Sequence, residues 1–214
     1  DFLKLAMTID GKIADFRGRS KWITSPVARS WTRSLRSAVD AIMVGSGTVL
    51  ADNPRLTAPP GGSQPLRVIV DSHAVTPVRS RLMQGGRVLI ACTTKASRKR
   101  VSDLRKAGAE VVEVGLRNNR VDVRALMHML TARGVGSLVC EGGARLAGSL
   151  LEAGLVNRMV VVISPRLLGG TRSLSAVIGR DFPLSSSRLL SGVKVSRLGT
   201  DILVEGNIAG KRGV

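Results

Sequence analysis

The residues of this chain best suited to chemistry sit at Glu141-Gly142-Gly143. A strand-like run, Ser137–Cys140, enters two consecutive glycines and leaves into a helix-like run, Ala144–Ala153, ended by Gly154. Glycines let a backbone approach a ligand closely, and a helix N-terminus presents N–H groups and a positive dipole. That combination suits a pyrophosphate, although it is not the G-x-G-x-x-G of the dinucleotide fingerprint. The same residues also make an ordinary tight strand-to-helix turn. Glu141 stands at the carboxyl end of the strand, the edge that faces the ligand crevice in open α/β sheets. Its carboxylate either accepts hydrogen bonds from a heterocycle or is a solvated loop acid.

A second glycine-rich turn, Val44-Gly45-Ser46-Gly47-Thr48, follows the strand-like run Ala41–Val44, and Asp52-Asn53-Pro54 then reads as a turn. Two such turns can serve one crevice. Lys4 lies inside the first strand-like run, Leu3–Met7. There a lysine either faces a cleft, where it can donate a proton, or snorkels from a sheet edge. Asp10-Gly11 is a turn signal. His73 and His128 form no paired constellation, and His128 reads as packing or surface on a helix. Neither a serine nucleophile elbow, an HExxH nor a Walker loop occurs. The basic run Ser97–Lys106 is either a solvated face or a phosphate contact, such as one to the 2′-phosphate of NADP.

These residues need elements to position them. Ser25-Pro26 opens a helix, an N-cap followed by proline where the missing N–H costs nothing, with Val27, Trp31, Leu35 and Ala38 along one face. Leu66–Val70, Val88–Ala91 and Glu110–Val114 read as buried strands, and Ser97–Ala107 as a helix closed by Gly108. Asp122 caps a helix to about Arg133, and Arg158–Ile163 is another strand. Strand and helix alternate, which predicts a largely parallel sheet with helices on both faces. Val193–Leu198 and Ile202–Glu205, around Gly199-Thr200-Asp201, predict an antiparallel hairpin at an edge. Loops concentrate at Ala58–Pro65 and Gly169–Arg188.

Of 214 residues, 43% are hydrophobic and 22% charged, enough apolar surface for a sizeable core and too much for a disordered tail. No apolar run approaches the ~20 residues of a membrane span, so no membrane partner is expected. The formal net charge of +18, from 33 basic and 15 acidic side chains, attracts anions such as nucleic acid or phosphorylated small molecules. With aromatic residues at 2% and no recognition motif, the chain lacks the stacking platforms of a single-strand binder, and no specific nucleic-acid partner is expected. Cys92 and Cys140 lie in apolar runs and read as buried free thiols, with no zinc spacing and no metal expected. Free thiols point to the cytoplasm. The chain opens at Asp1 and is read as processed or trimmed.

Taken in order, Lys4-Leu5-Ala6-Met7-Thr8-Ile9-Asp10-Gly11-Lys12-Ile13-Ala14, Ser20-Lys21-Trp22-Ile23-Thr24-Ser25, the stretch from Val44 to Thr57, Arg67-Val68-Ile69-Val70-Asp71-Ser72, Glu141-Gly142-Gly143 and Pro165-Arg166-Leu167-Leu168-Gly169-Gly170 resemble one family. It is the reductase domain of the bifunctional riboflavin biosynthesis protein RibD, and the resemblance runs from about Phe2 to Asn207. It implies a dihydrofolate-reductase-like, three-layer α/β/α fold with a mostly parallel central sheet and a C-terminal antiparallel hairpin. The domain would span residues 1–208, with 209–214 a frayed tail. It also implies an NADPH-dependent oxidoreductase that converts the ribosyl group of 5-amino-6-(5-phospho-D-ribosylamino)uracil to ribityl, and a homodimer. A ribosylamine can open to an imine at C1′, which a reduced nicotinamide can reduce while the protein aligns the two ligands.

Carried across position by position, the resemblance places the cofactor on Met7, Trp22, Thr48, Asp52, Ser72 and the stretch Gly143, Ala144, Arg145, Leu146, Ala147, Gly148 and Ser149. It places the substrate on Ser20, Arg36, Leu56 and Glu141. Arg36 would grip the phosphate as a charge-assisted fork, Glu141 would bind the pyrimidine edge, and Lys4 would assist at the reacting sugar. Two features depart from the family pattern. The arginine usual three residues after the leucine of the Asn-Pro-x-Leu-Thr turn is here Pro59, leaving Arg55 or another base to complete the phosphate clamp. The H-x-E and P-C-x-x-C pattern of the zinc deaminase that accompanies RibD reductases is absent. The chain is then either part of a longer protein or a stand-alone reductase, and stand-alone relatives act on the aminated 2,5-diamino-6-(5-phospho-D-ribosylamino)pyrimidin-4(3H)-one. Two competing readings are a basic nucleic-acid-binding module and a reductase fold that has lost activity.

Overall fold

In chain order the elements are β1 (Phe2–Thr8), β2 (Lys12–Ala14), α1 (Pro26–Leu35), β3 (Ala41–Gly45), α2 (Ser46–Asp52), β4 (Leu66–Val70), β5 (Val88–Cys92), α3 (Arg98–Lys106), β6 (Glu110–Glu113), β7 (Leu116–Arg117), β8 (Arg120–Val121), α4 (Val123–Ala132), β9 (Leu138–Cys140), α5 (Ala144–Glu152), β10 (Arg158–Ser164), β11 (Leu174–Ser175), β12 (Leu190–Leu198) and β13 (Asp201–Ile208). The structure is a computed structural model and describes residues 1–209. Residues 210–214 of the expected tail lie outside the described residues. Ala209 donates its N–H to the Leu189 carbonyl at 3.0 Å. The chain forms two compact units, one of Asp1–Thr32 with the chain from Cys140 onward, the other of Arg33–Val139.

In the Arg33–Val139 unit, β3, β4, β5 and β6 pair in that order and run parallel. Ala41 to Val44 are all buried. A strand covered on both faces is apolar without interruption, which is why this stretch reads as a continuous run and not as an alternation. Leu104 of α3 and Leu126 and Leu130 of α4 join the buried set. The expected cap of α4 is present: the Asp122 side chain accepts from the N–H groups of Arg124 (2.9 Å) and Ala125 (3.4 Å). A short hairpin, β7–β8, went unread in the sequence. Its two-residue loop, Asn118-Asn119, has φ of 48° and 66°, and paired asparagines that accept left-handed backbone were the available signal. The glycine-rich turn expected after β3, at Gly45-Ser46-Gly47-Thr48, is the start of α2, with Gly45 as its N-cap.

In the other unit, β1 runs parallel to β10, β10 pairs antiparallel with β13, and β13 with β12. The predicted hairpin is therefore present, and longer than its alternation indicated. Ala28, Val160, Val162 and Leu203 form a cluster on which Phe2, Ala6, Trp31 and Leu198 pack. The expected face of α1 needs correction. Val27 is 53% exposed, the helix buries Ala28 and Thr32, and Ala38 belongs to a separate 3-10 turn, Arg36–Ala38. A small side chain at 28 lets the helix approach the strands, and the Thr32 hydroxyl is satisfied by donating to the Ala28 carbonyl at 2.9 Å. Within the expected loop 169–188, β11 pairs antiparallel with β2. Two strands of two and three residues carry too little periodicity to be read from sequence.

Candidate functional site

The Cys140 end of β9 leads into Glu141, Gly142 and Gly143, and α5 begins at Ala144. Gly142 and Gly143 have φ of 116° and 38°. A side chain at Gly142 would meet open space but not an allowed backbone, so here glycine serves conformation. The N-cap of α5, Gly143, has no side chain to cap the helix with, and the first turn holds no acidic residue. A helix start of that kind suits an anion. The cofactor stretch is divided by burial. Arg145 is exposed and Ser149 half-buried, whereas Leu146, Ala147 and Gly148 are buried in the fold. Gly148 allows the Ile178 backbone to lie against the helix, and Ile178 donates its N–H to the Ala144 carbonyl at 3.0 Å.

Lys4 is 8% exposed on β1, opposite Val160 of β10, which agrees with a strand-interior lysine and not with an exposed edge. Met7 is half-buried on the same strand. Beyond it the Thr8 hydroxyl donates to Asp10 at 2.5 Å and accepts from the Lys12 N–H at 2.9 Å. Asp10, read in the sequence as a turn signal alone, does more. Its carboxylate accepts from the N–H groups of Leu168 (3.3 Å) and Gly169 (2.7 Å), tying the first turn to the Pro165–Gly170 stretch. The Thr8 hydroxyl foremost, and then the Gly169 N–H, hold its carboxyl below the usual carboxylate range. Ser20 is half-buried, and Trp22 is 64% exposed with the Arg29 guanidinium 4.3 Å from its ring centre.

The remaining expected residues lie in the Arg33–Val139 unit. Arg36, in the turn after α1, donates Nη1 to the Thr57 carbonyl at 3.0 Å. Leu56 is buried with φ of 56°, so the segment before Thr57 is held in a conformation unusual for leucine. Pro59 opens a turn in which its carbonyl accepts the Gly62 N–H at 3.1 Å, and Gln64 closes the loop by accepting from Ala58 at 3.0 Å. Arg55 is exposed, and a different base, Arg67, lies close enough to Arg36 for their charges to interact. Arg67 is buried on β4 and donates Nη1 to the Leu82 carbonyl. Burial first, and the Arg36 charge second, lower its pKa.

Thr48 in the first turn of α2 and Asp52 at its last position are both half-buried. Ser72 follows β4; its Oγ accepts from the Val121 N–H at 3.1 Å, and its carbonyl accepts from the Thr93 hydroxyl at 2.8 Å. The residue before it, Asp71, was missed in the sequence. Asp71 is buried; one oxygen accepts from the N–H and hydroxyl of Thr76, each at 2.7 Å, and the other has no hydrogen-bond partner. An acid directly after an apolar strand was the signal for it. The basic helix α3 is in part self-paired, with Lys99 on Asp103 at 2.8 Å. His73 and His128 are exposed. Among the described residues no group of three or more metal-type side chains converges, and no helix is long and apolar enough to cross a membrane.

Thus Lys4, Met7, Ser20, Trp22, Glu141 and the α5 start belong to one unit, and Arg36, Thr48, Asp52, Leu56 and Ser72 to the other. The family described as the RibD C-terminal domain matches residues 2–204. The chain is 38% identical over 208 residues to a riboflavin biosynthesis protein RibD of Actinobacillus pleuropneumoniae, covering 95% of this chain and 55% of that protein. It is 40% identical over 215 residues to a protein of Methanothermobacter thermautotrophicus named 2,5-diamino-6-ribosylamino-4(3H)-pyrimidinone 5′-phosphate reductase, covering 97% of each. Among solved structures, RibD of Acinetobacter baumannii (form 1) superposes with a TM-score of 0.83 at 23% identity, over 98% of this chain and 58% of that one. That likeness concerns the fold, and it agrees with the expected dihydrofolate-reductase-like α/β architecture, a mostly parallel sheet with added antiparallel strands. By its match over nearly the whole length, the chain belongs to the RibD C-terminal domain family.

Proposed function

We propose that this chain is an NADPH-dependent reductase that converts the ribosyl group of 5-amino-6-(5-phospho-D-ribosylamino)uracil to ribityl in riboflavin biosynthesis. The observation that carries the reading is the turn at Gly142-Gly143, whose positive φ values lead into a helix start with glycine as its N-cap and no acid in its first turn. Those residues fit a pyrophosphate, with Arg145 adding a cation at the same helix end. In this reading Met7, Trp22, Thr48, Asp52 and Ser72 hold the rest of the dinucleotide. When bound, NADPH supplies the hydride. Arg36 binds the substrate phosphate, Glu141 accepts hydrogen bonds from the pyrimidine edge, and Ser20 and Leu56 complete the substrate contacts. Lys4 delivers a proton from Nζ to the sugar oxygen.

A second reading concerns the base. The Methanothermobacter relative matches end to end and is named for the aminated pyrimidinone. Its match favours 2,5-diamino-6-(5-phospho-D-ribosylamino)pyrimidin-4(3H)-one as the substrate. Turnover of the two pyrimidines side by side, with NADPH and with NADH, separates the readings by loss of absorbance at 340 nm. A flat trace with both substrates and both nucleotides overturns the proposed activity.

The protein is proposed to work in the cytoplasm, in keeping with its two free, buried cysteines, and as a homodimer. Val195 is 66% exposed on β12, with Val193 and Ile202 also exposed on the hairpin. An apolar edge of this kind suits a second copy. Sedimentation showing only the monomer mass at micromolar concentration refutes the dimer.

A further inference from the structure

We propose that Arg29 is a positioning residue for the proposed cofactor contact, holding the Trp22 ring in place from the first turn of α1. Arg29 touches the segment 22–24 in two ways. Its guanidinium lies 4.3 Å from the Trp22 ring centre, and its Nη1 donates to the Thr24 carbonyl. Trp22 is 64% exposed, so little else restrains an indole on a loop. A planar cation stacked on its face supplies that restraint.

Arg29 is itself held by the helix start. The Ser25 hydroxyl accepts from the Ala28 N–H at 3.2 Å, and the Ser25 carbonyl accepts from the Arg29 N–H at 3.1 Å. Ser25 is anchored in turn by the C-terminal hairpin. Buried Asp201 accepts the Ser25 N–H at 2.7 Å, and the Ser25 hydroxyl donates to the Leu198 carbonyl at 3.3 Å. A chain of contacts therefore runs from Asp201 through Ser25 and Arg29 to the indole. The ring and the guanidinium both line an open cleft of about 480 Å³, with Pro165, Arg166 and Asp201 on its other walls. The indole is thus accessible to a ligand while its angle is set by a residue with no assigned role. Because Arg is held by both its charge and its fork, Lys does not replace it.

The inference rests on the reading that Trp22 touches NADPH, and the test separates the two. With Trp31→Phe as background, Trp22 is the sole tryptophan, so its emission reports its own surroundings. Arg29→Met, which keeps an apolar stem, is compared with Arg29→Lys and with Asp201→Asn. The expected result is that Arg29→Met raises the KM for NADPH by about five- to tenfold, with kcat within about twofold. Trp22 emission and its energy transfer to NADPH change in parallel, Arg29→Lys restores little, and Asp201→Asn shifts in the same direction by less. An Arg29→Met protein that melts like the parent and keeps both its NADPH KM and its Trp22 emission overturns the proposal. So does a change in emission with no change in KM. If the parent itself neither oxidises NADPH nor transfers energy to it, the functional reading fails. The restraint on the indole is then judged on emission without cofactor, where no difference between parent and Arg29→Met overturns it.

Discussion

Gly148 of α5 and Ile178 meet backbone to backbone: a Cβ on Gly148 would fall on the Ile178 carbonyl group. The hydrogen bond from the Ile178 N–H to the Ala144 carbonyl, 3.0 Å long, closes the same contact one turn earlier along the helix. The segment after β11 is therefore fastened to the helix whose start is the candidate phosphate site.

Gly148→Ala is predicted to destabilise the protein. The atoms in the way are backbone and cannot swing aside, so the cost falls in the overpacking range of about 1–3 kcal/mol. Thermal melting should show a clear drop in Tm. An unchanged Tm would mean that the 178–179 backbone yields freely, and would remove Gly148 from the structural set.

Lys4→Met is predicted to lower kcat by about 10²-fold or more, the usual size of a lost general acid. The side chain is nearly as long, so NADPH binding should change little. Steady-state kinetics at fixed pH with both substrates varied give the check. A kcat within twofold of the parent would take the proton-donor role from Lys4.

The stability of the first turn should depend on pH through Asp10. Its carboxyl is held below the ordinary range, chiefly by the Thr8 hydroxyl and then by the Gly169 N–H. A depressed folded-state pKa contributes stability that is present above the unfolded value, about 4, and lost as pH falls through the folded value. Asp10→Asn should therefore be less stable than the parent at pH 7, and the gap should narrow as pH falls below about 4. A gap that stays constant from pH 7 to pH 2 would contradict the assignment.

Both thiols should be silent in the folded protein. Burial pushes the Cys140 thiol up to about 12, and it raises Cys92 as well, with smaller contributions from Glu113 and Asp71. At pH 8 a thiol-disulfide reagent should label neither cysteine until denaturant is added, when both react. Rapid labelling of either in the native protein would show that its strand is less covered than the structure has it.

How much of this was legible in the sequence depends on whether a feature is local. The apolar run Ala41–Val44 announced its strand because a strand buried on both faces is apolar throughout, and Leu66–Val70 was legible in spite of Arg67 because its other four residues are apolar. The Asp122 cap, the Ser25-Pro26 start and the Gly142-Gly143 turn were equally readable, since each depends on the backbone preference of one or two residues. The face of α1 was misread at Val27 because Val27 and Ala28 both fit helical spacing with Trp31, which does pack on the core, and only the strands opposite chose between them. Asp10 looked like a turn acid alone and Asp71 was passed over because the groups they bind, Gly169 and Thr76, are distant or of no fixed pattern.

By itself the sequence determined the order of strands and helices, the places where glycine and proline break them, and the ordered motifs that mark the family. Those depend on short-range sterics and on burial averaged along a segment. Only the tertiary structure decided that Lys4 is buried, that Gly148 makes room for Ile178, that the Arg36 charge bears on buried Arg67, and that Asp201 reaches Ser25. Each of those is a meeting of residues apart in the chain, and a hydrogen bond, a charge interaction or a close contact exists only where packing brings both partners to the same place.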